Sequence, residues 1–264
     1  MERGWAAWAG QYIDAMPLSL RPSSLLPKIR PRGLASFRLP SLCAVCHGWG
    51  RQRVCEACTA RFASPTPRCR RCAIDVPASV ELCGQCSTNP PPFERTLAAV
   101  SYAHPWDGLI TRFKFHNALD LAPALAERVL MAHTQSGLPT PEMLLPMPLA
   151  AGRLRERGYN QAWMLTRRLA SALRAPADAT LLLRIKDTPH QLALAPLKRA
   201  ANVRGAYAIE PRRRSELLGR EVTLIDDVMT TGATAAEASR TLLQAGAARV
   251  HIWVVARTPR ASDN

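Results

Sequence analysis

No stretch of the chain approaches the roughly 18 to 20 apolar residues that a bilayer-crossing helix needs, so a membrane span is not expected. The opening segment GWAAWAGQYIDAMPLSL is only mildly apolar, is broken by Asp14 and lacks a basic start followed by an unbroken apolar run. It does not read as a signal peptide, and a soluble, cytoplasmic protein is expected. Cysteine is missing everywhere except between Cys43 and Cys86. Acidic residues are also in deficit, 20 against 35 basic ones, for a formal net charge of +15.

That excess favours phosphate-rich partners, because each basic side chain near a phosphate releases counterions. It does not choose between nucleotide, nucleic acid and anionic lipid. A second reading stands beside it: nearly all the basic residues are arginine in an Ala/Leu/Pro-rich chain, which compositional bias alone would produce. The 264 residues suffice for one α/β domain with a substantial core plus a minor appendage. Residues 1–40, with Pro22, Pro27, Pro31 and Pro40 among scattered Arg and Ser, read as an extended leader.

The eight cysteines form four pairs of one spacing: Cys43/Cys46, Cys55/Cys58, Cys69/Cys72 and Cys83/Cys86. Two thiolates separated by two residues can meet one tetrahedral zinc from a tight turn, and two such turns close a structural site. Disulfides are the competing reading, suited to a secreted chain rather than a reducing compartment. Neighbouring pairs suggest two sequential sites; pairing first with third and second with fourth remains open. Four thiolates leave no position for substrate, so the role is folding, and His47 is expected on the surface. Arg51, Arg53, Arg61, Arg68, Arg70 and Arg71 would give this module a positive face, for nucleic acid or simply for water.

The segment EVTLIDDVMTTGAT, from Glu221 to Thr234, carries the ligand chemistry. Val222 to Ile225 suits a buried parallel strand, and the chain turns helical from about Ala233. A strand, an acidic pair, a Thr/Gly turn and a helix place N–H groups and hydroxyls where a phosphate monoester binds. Asp226 and Asp227 can then accept hydrogen bonds from sugar hydroxyls, so one segment would read both ends of a ribose 5-phosphate. An isolated Asp-Asp pair would instead be a turn or a cap. As a whole, the string resembles the signature with which type I phosphoribosyltransferases bind 5-phosphoribosyl-1-pyrophosphate (PRPP).

The resemblance extends further. The four CxxC pairs, PPPFERTLAAVSY, LPMPLAAGRLRERGYNQA, DTPHQLALAPLKRAANVRGAYAI and the PRPP string together resemble the ComF family, over roughly residues 41 to 258. That resemblance implies a double zinc ribbon at residues 41–92. It also implies a type I phosphoribosyltransferase fold at 93–258, a mostly parallel sheet with helices on both faces, leaving 259–264 as a tail. It implies that Asp226 and Asp227 hold the ribose hydroxyls, and that Thr230, Thr231, Gly232, Ala233 and Thr234 cradle the 5-phosphate. Pyrophosphate would lie against the turn Met147, Pro148, Leu149 and the arginines Arg153, Arg155 and Arg157, whose forks match its oxygens; an exposed helix start is the alternative for the arginines. Asn160 and Gln161 could bind or could cap the next helix.

By the same resemblance, residues 184 to 206 form a flap over the site, from which Lys198, Arg199 and Arg204 would reach pyrophosphate. Lys114 is a further phosphate ligand candidate, while Phe113 and Phe115 could be core or base-stacking residues, with the core expected. Trp106, Trp163 and Trp253 are expected in the core or packing helices. Mg²⁺ would arrive with PRPP, bridging phosphate and ribose oxygens. The family is associated with DNA uptake in natural transformation, so single-stranded DNA and DNA-uptake proteins are implied partners. An active phosphoribosyltransferase and a non-turnover PRPP sensor are the competing functions.

Overall fold

A computed structural model describes residues 40–186 and 203–259. The expected leader (apart from Pro40), the tail beyond Pro259, Lys198 and Arg199 lie outside the described residues.

The chain begins with the short antiparallel pair β1 (Ser41–Leu42) and β2 (Trp49–Gly50), then α1 (Glu56–Phe62) and α2 (Gly84–Thr88). Cys55 and Cys83 stand at the N-caps of these two helices, in extended backbone, so each second CxxC opens a helix. Next come β3 (Arg95–Ser101), α3 (Trp106–Phe115), α4 (Ala122–Ser136), β4 (Met143–Pro146), α5 (Ala151–Arg157) and α6 (Gln161–Leu173). The chain continues with β5 (Leu182–Arg184), β6 (Tyr207–Ile209), β7 (Glu221–Met229), α7 (Ala233–Gln244) and β8 (Arg249–Arg257).

Four strands form one parallel sheet in the order β3-β8-β7-β4, and β5 pairs antiparallel with β6. The central strands are apolar on successive residues because both faces are covered. One face buries Leu145, Leu224 and Ile252 against Ala238 and Leu242 of α7. The other buries Leu144, Ile225 and Trp253 against side chains of α3, α4 and α6 such as Phe113, Leu125 and Leu165. Each such fully buried side chain contributes roughly 1.5–3 kcal/mol of transfer free energy. Trp106 is also buried, and its indole N–H donates to the Phe62 carbonyl at 2.7 Å, joining α3 to α1. Trp163 is half-buried in the first turn of α6.

Both outer strands are covered. The Thr96 N–H on β3 donates to the Arg70 carbonyl at 3.0 Å, and the Leu144 N–H on β4 donates to the Pro176 carbonyl at 2.9 Å. The architecture is the expected one: a parallel sheet with flanking helices behind a small zinc-ribbon-like module. One boundary differs. β7 does not stop at Ile225 but runs to Met229, paired with β8 as far as Met229↔Arg257. The long partner strand continues the ladder past the acidic pair, so both aspartates lie in the strand and the turn shrinks to Thr230–Gly232.

Candidate metal centres and ligand cleft

The cysteines assemble in chain order. Cys43, Cys46, Cys55 and Cys58 form one quartet and Cys69, Cys72, Cys83 and Cys86 another, with all sulfurs of a quartet within 4.8 Å of one another. All eight are free thiols. Zinc at about 2.3 Å from four sulfurs requires S···S edges of about 3.8 Å. Cys46 and Cys55 are 3.7 Å apart and Cys72 and Cys83 are 3.6 Å apart, so each quartet could hold a zinc ion. Backbone N–H groups already serve the thiols: that of Cys55 donates to Cys43 Sγ at 3.4 Å, and that of Cys83 to Cys69 Sγ at 3.3 Å.

Thiol acidities diverge as such crowding requires. Burial pushes Cys58 up to about 12, with its three neighbouring thiols adding to the rise. Burial also acts on Cys43, but the backbone N–H groups of Cys46, Cys55 and Val45 outweigh it and bring that thiol to about 6. Four thiolates cannot share one point without a cation.

The module's arginines are largely partnered. Arg68 pairs with Asp75 at 2.7 Å, Arg70 with Glu81 at 2.9 Å, Arg53 with Asp120 at 2.5 Å and Arg71 with Glu94 at 3.7 Å. His47 is exposed, as expected.

At the carboxyl ends of the sheet lies a cleft of about 350 Å³. Parallel sheets present ligand sites at this end. Its floor holds Asp226 and Asp227, one wall is the turn at Thr230, Gly232, Ala233 and Thr234, and the opposite wall is Met147, Pro148 and Leu149 with Arg153 and Arg157. Gly232 has φ +80°, a conformation that favours glycine, and its carbonyl starts α7 by accepting from Ala236 N–H at 2.8 Å. The Met147 N–H donates to the Ile225 carbonyl at 2.8 Å, which fixes the opposite wall to β7.

Asn160 caps α6 by accepting from Trp163 N–H at 3.2 Å, while its amide donates to the Met147 carbonyl at 3.1 Å. It is therefore a brace for the wall. Gln161 lines the cleft and accepts from Arg157.

Not every candidate lines the cleft. Thr231 does not line the cleft; its hydroxyl accepts from the Ala233 N–H at 3.3 Å within the turn. Arg155 is exposed and points elsewhere, because on α5 residues four apart share a face while those two apart do not. Arg204 is exposed and outside the lining; its carbonyl accepts from Lys186 Nζ at 2.9 Å. Phe113 is buried, but Phe115 is 53% exposed at the cleft, with the Arg157 guanidinium 5.2 Å from its ring centre. Lys114, considered as a phosphate ligand, lines the cleft and pairs with Asp227 at 2.7 Å.

The cleft also takes in Arg184, where the expected flap begins, and Tyr102 and Thr258, which sequence reading missed. Each stands near a strand end far in sequence from the motif, and no local pattern marks it.

The electrostatics are those of opposed charges enclosed together. Burial pushes Asp226 up to about 6, against the pull of Lys114, Arg184 and Arg157. Burial pushes Lys114 down to about 8, opposed by Asp226 and assisted by Arg157 and Arg153. Near neutral pH the floor thus carries carboxylate and ammonium while the rim carries arginines. That is a setting for hydroxyl groups below and phosphate oxygens above.

No family profile matches the chain. The DNA utilization protein YhgH of Salmonella typhi is 32% identical over 230 residues, covering 83% of this chain and 98% of that protein. Competence protein F of Haemophilus influenzae is 31% identical over 222 residues, covering 81% of this chain and 96% of that protein. Competence protein ComFC of Bacillus subtilis is 29% identical over 139 residues, 53% of this chain and 54% of that protein.

Among solved structures, the glutamine PRPP amidotransferase from B. subtilis matches with TM-score 0.32 and 18% identity over 52% of this chain and 25% of that one. A purine phosphoribosyltransferase from Pyrococcus horikoshii matches with TM-score 0.30 and 14% identity over 61% of this chain and 87% of that one. At such scores the structural likeness carries no argument, whereas the YhgH protein and competence protein F align over nearly their whole length. On that alignment, this chain belongs to the ComF family, alongside the YhgH proteins and competence protein F.

Proposed function

We propose that the cleft binds PRPP with Mg²⁺ and that the protein is a PRPP-binding accessory of DNA uptake. The observation that carries the first part is the convergence on one cleft of Asp226, Asp227, the turn residues Thr230, Gly232, Ala233 and Thr234, and the arginines Arg153 and Arg157. In this reading the carboxylates accept from the ribose hydroxyls. The backbone N–H groups at the start of α7 hold the 5-phosphate, and the α5 arginines hold pyrophosphate. When bound, Mg²⁺ supplies charge neutralisation between phosphate and ribose oxygens.

The names of the relatives, a DNA utilization protein and competence proteins, support the second part, as does the net charge of +15. Single-stranded DNA and DNA-uptake proteins are the partners, two zinc ions fill the cysteine quartets, and the site of action is the cytoplasm. Residues 41–92 act as the zinc module and 93–258 as the ligand domain. No helix among the described residues is long and apolar enough to cross a membrane.

Calorimetric titration with Mg-PRPP tests the reading, with the Asp226→Asn, Asp227→Asn double variant as control. Saturable binding lost in the variant supports it; no binding to the folded parent at millimolar ligand ends it. Release of pyrophosphate with an added acceptor separates a transferase from a sensor. Retention of single strands that weakens as salt rises supports the DNA partner.

A further inference from the structure

Arg257 ends β8, is 6% exposed and faces two parts of the molecule at once. Its Nε donates to the carbonyl of Cys72 at 2.8 Å. One terminal nitrogen donates to the carbonyls of Met229 at 3.1 Å, Thr230 at 2.5 Å and Thr258 at 2.7 Å. One guanidinium therefore spans from a ligand residue of the second cysteine quartet to the first residues of the turn beside the acidic pair.

The two parts also pack directly. Ala73 and Phe93 share a buried cluster with Met229, and the Phe93 ring lies 3.9 Å from where a side chain on Gly232 would stand. Arg68 steadies the same knuckle, donating to the Ala73 carbonyl at 3.1 Å and the Ser101 hydroxyl at 2.8 Å.

We propose that Arg257 is a positioning residue that couples the metal state of the Cys69/Cys72/Cys83/Cys86 quartet to the shape of the Thr230–Thr234 turn. This inference rests on the ligand reading above only for its effect on PRPP. The direction of the Cys72 carbonyl follows from the knuckle, and the knuckle is shaped by four sulfurs converging on one centre. If that convergence fails, Nε loses its acceptor within a buried setting. The guanidinium must then shift, taking with it the carbonyls of Met229 and Thr230 and so the N–H groups that follow them. A buried cation behind the turn also favours an anion in front of it. The first quartet, Cys43 to Cys58, makes no such bridge among the described contacts and serves as an internal control.

The test is amide hydrogen exchange on the full zinc-loaded chain, comparing the parent with Arg257→Gln and Arg257→Lys. Peptides covering residues 229–234 are expected to exchange about tenfold faster or more in Arg257→Gln, since charged hydrogen bonds to the turn are lost. Peptides in the middle of β7 and β8 are expected to stay as in the parent, and Arg257→Lys to fall between. Stepwise withdrawal of zinc from the parent by a chelator is expected to speed residues 229–234 when the second quartet empties, and not when the first does. In Arg257→Gln that second step is expected to add little.

Unchanged exchange at 229–234 in Arg257→Gln, or equal acceleration by zinc withdrawal with and without Arg257, overturns the coupling. If the glutamine variant does not fold, the same comparison on Arg257→Lys decides by the same two outcomes. Calorimetry with Mg-PRPP separates the two readings. Absence of PRPP binding to a parent whose turn responds as expected sinks the ligand reading and leaves the coupling standing. Weakened binding in Arg257→Gln supports both.

Discussion

The Lys114 ammonium lies 2.7 Å from the Asp227 carboxylate, across the cleft floor from α3 to β7. The carboxylate oxygen has no well-aligned hydrogen bond, so the contact is chiefly ionic. Lys114 is also the strongest charge holding down the pKa of neighbouring Asp226. In Lys114→Met the Asp226 carboxyl is therefore expected to titrate well above about 6, as read by carbon NMR of the side chain.

Ligand affinity should follow the same carboxyl. On the proposed reading Asp226 would accept from ribose hydroxyls best when ionised, so Mg-PRPP affinity is expected to fall as pH drops through about 6. A calorimetric series from acid to neutral pH checks this; a flat profile would remove Asp226 from the ribose site.

Stability should vary with pH in a definite sense. Asp226 has a folded value raised above the ordinary 3.8, so its stabilising contribution is present below that value and is lost as pH rises through about 6. Lys114 has a folded value lowered from 10.5, so its contribution is present above that value and is lost as pH falls through about 8. The pair thus contributes least in the neutral window between. Urea midpoints for the parent, set against an Asp226→Asn variant that keeps the Lys114–Asp227 pair, should show the variant gaining stability as pH rises through about 6.

Gly232→Ala puts a side chain into the left-handed region at a cost of about 1–2 kcal/mol. Its Cβ would stand 2.8 Å from the Met229 methyl. The expected outcome is a folded protein with modestly lowered urea stability and strongly weakened Mg-PRPP binding. Undiminished binding would mean that the turn does not contact the phosphate.

Metal analysis of the purified chain should return two zinc ions per molecule. Chelation should release them with loss of structure in residues 41–92. Thiol counting should find all eight cysteines reactive only after chelation, whereas disulfides would resist both treatments.

Spacing made much of this legible. The CxxC pairs announced their sulfur quartets, and the order strand, acidic pair, Thr/Gly turn, helix announced the cleft wall. What failed was what depends on phase or on distant chain. Phe115 looked like Phe113 in composition, yet two helical residues apart they face opposite ways. The same geometry separates Arg155 from Arg153 and Arg157. The aspartates looked like the end of a strand, because hydrophobicity stops at Ile225 while pairing with β8 does not. Arg257 and Tyr102 carry no local mark, since their partners lie far away in sequence.

The single bond from Thr96 to the Arg70 carbonyl places the Cys69–Cys72 turn along the outer margin of β3. An uncovered strand of that kind is a template for pairing with another chain. The knuckle occupies part of that edge, so metal starvation is expected to show first as lost colloidal stability, molecules adding edge to edge while their cores remain folded.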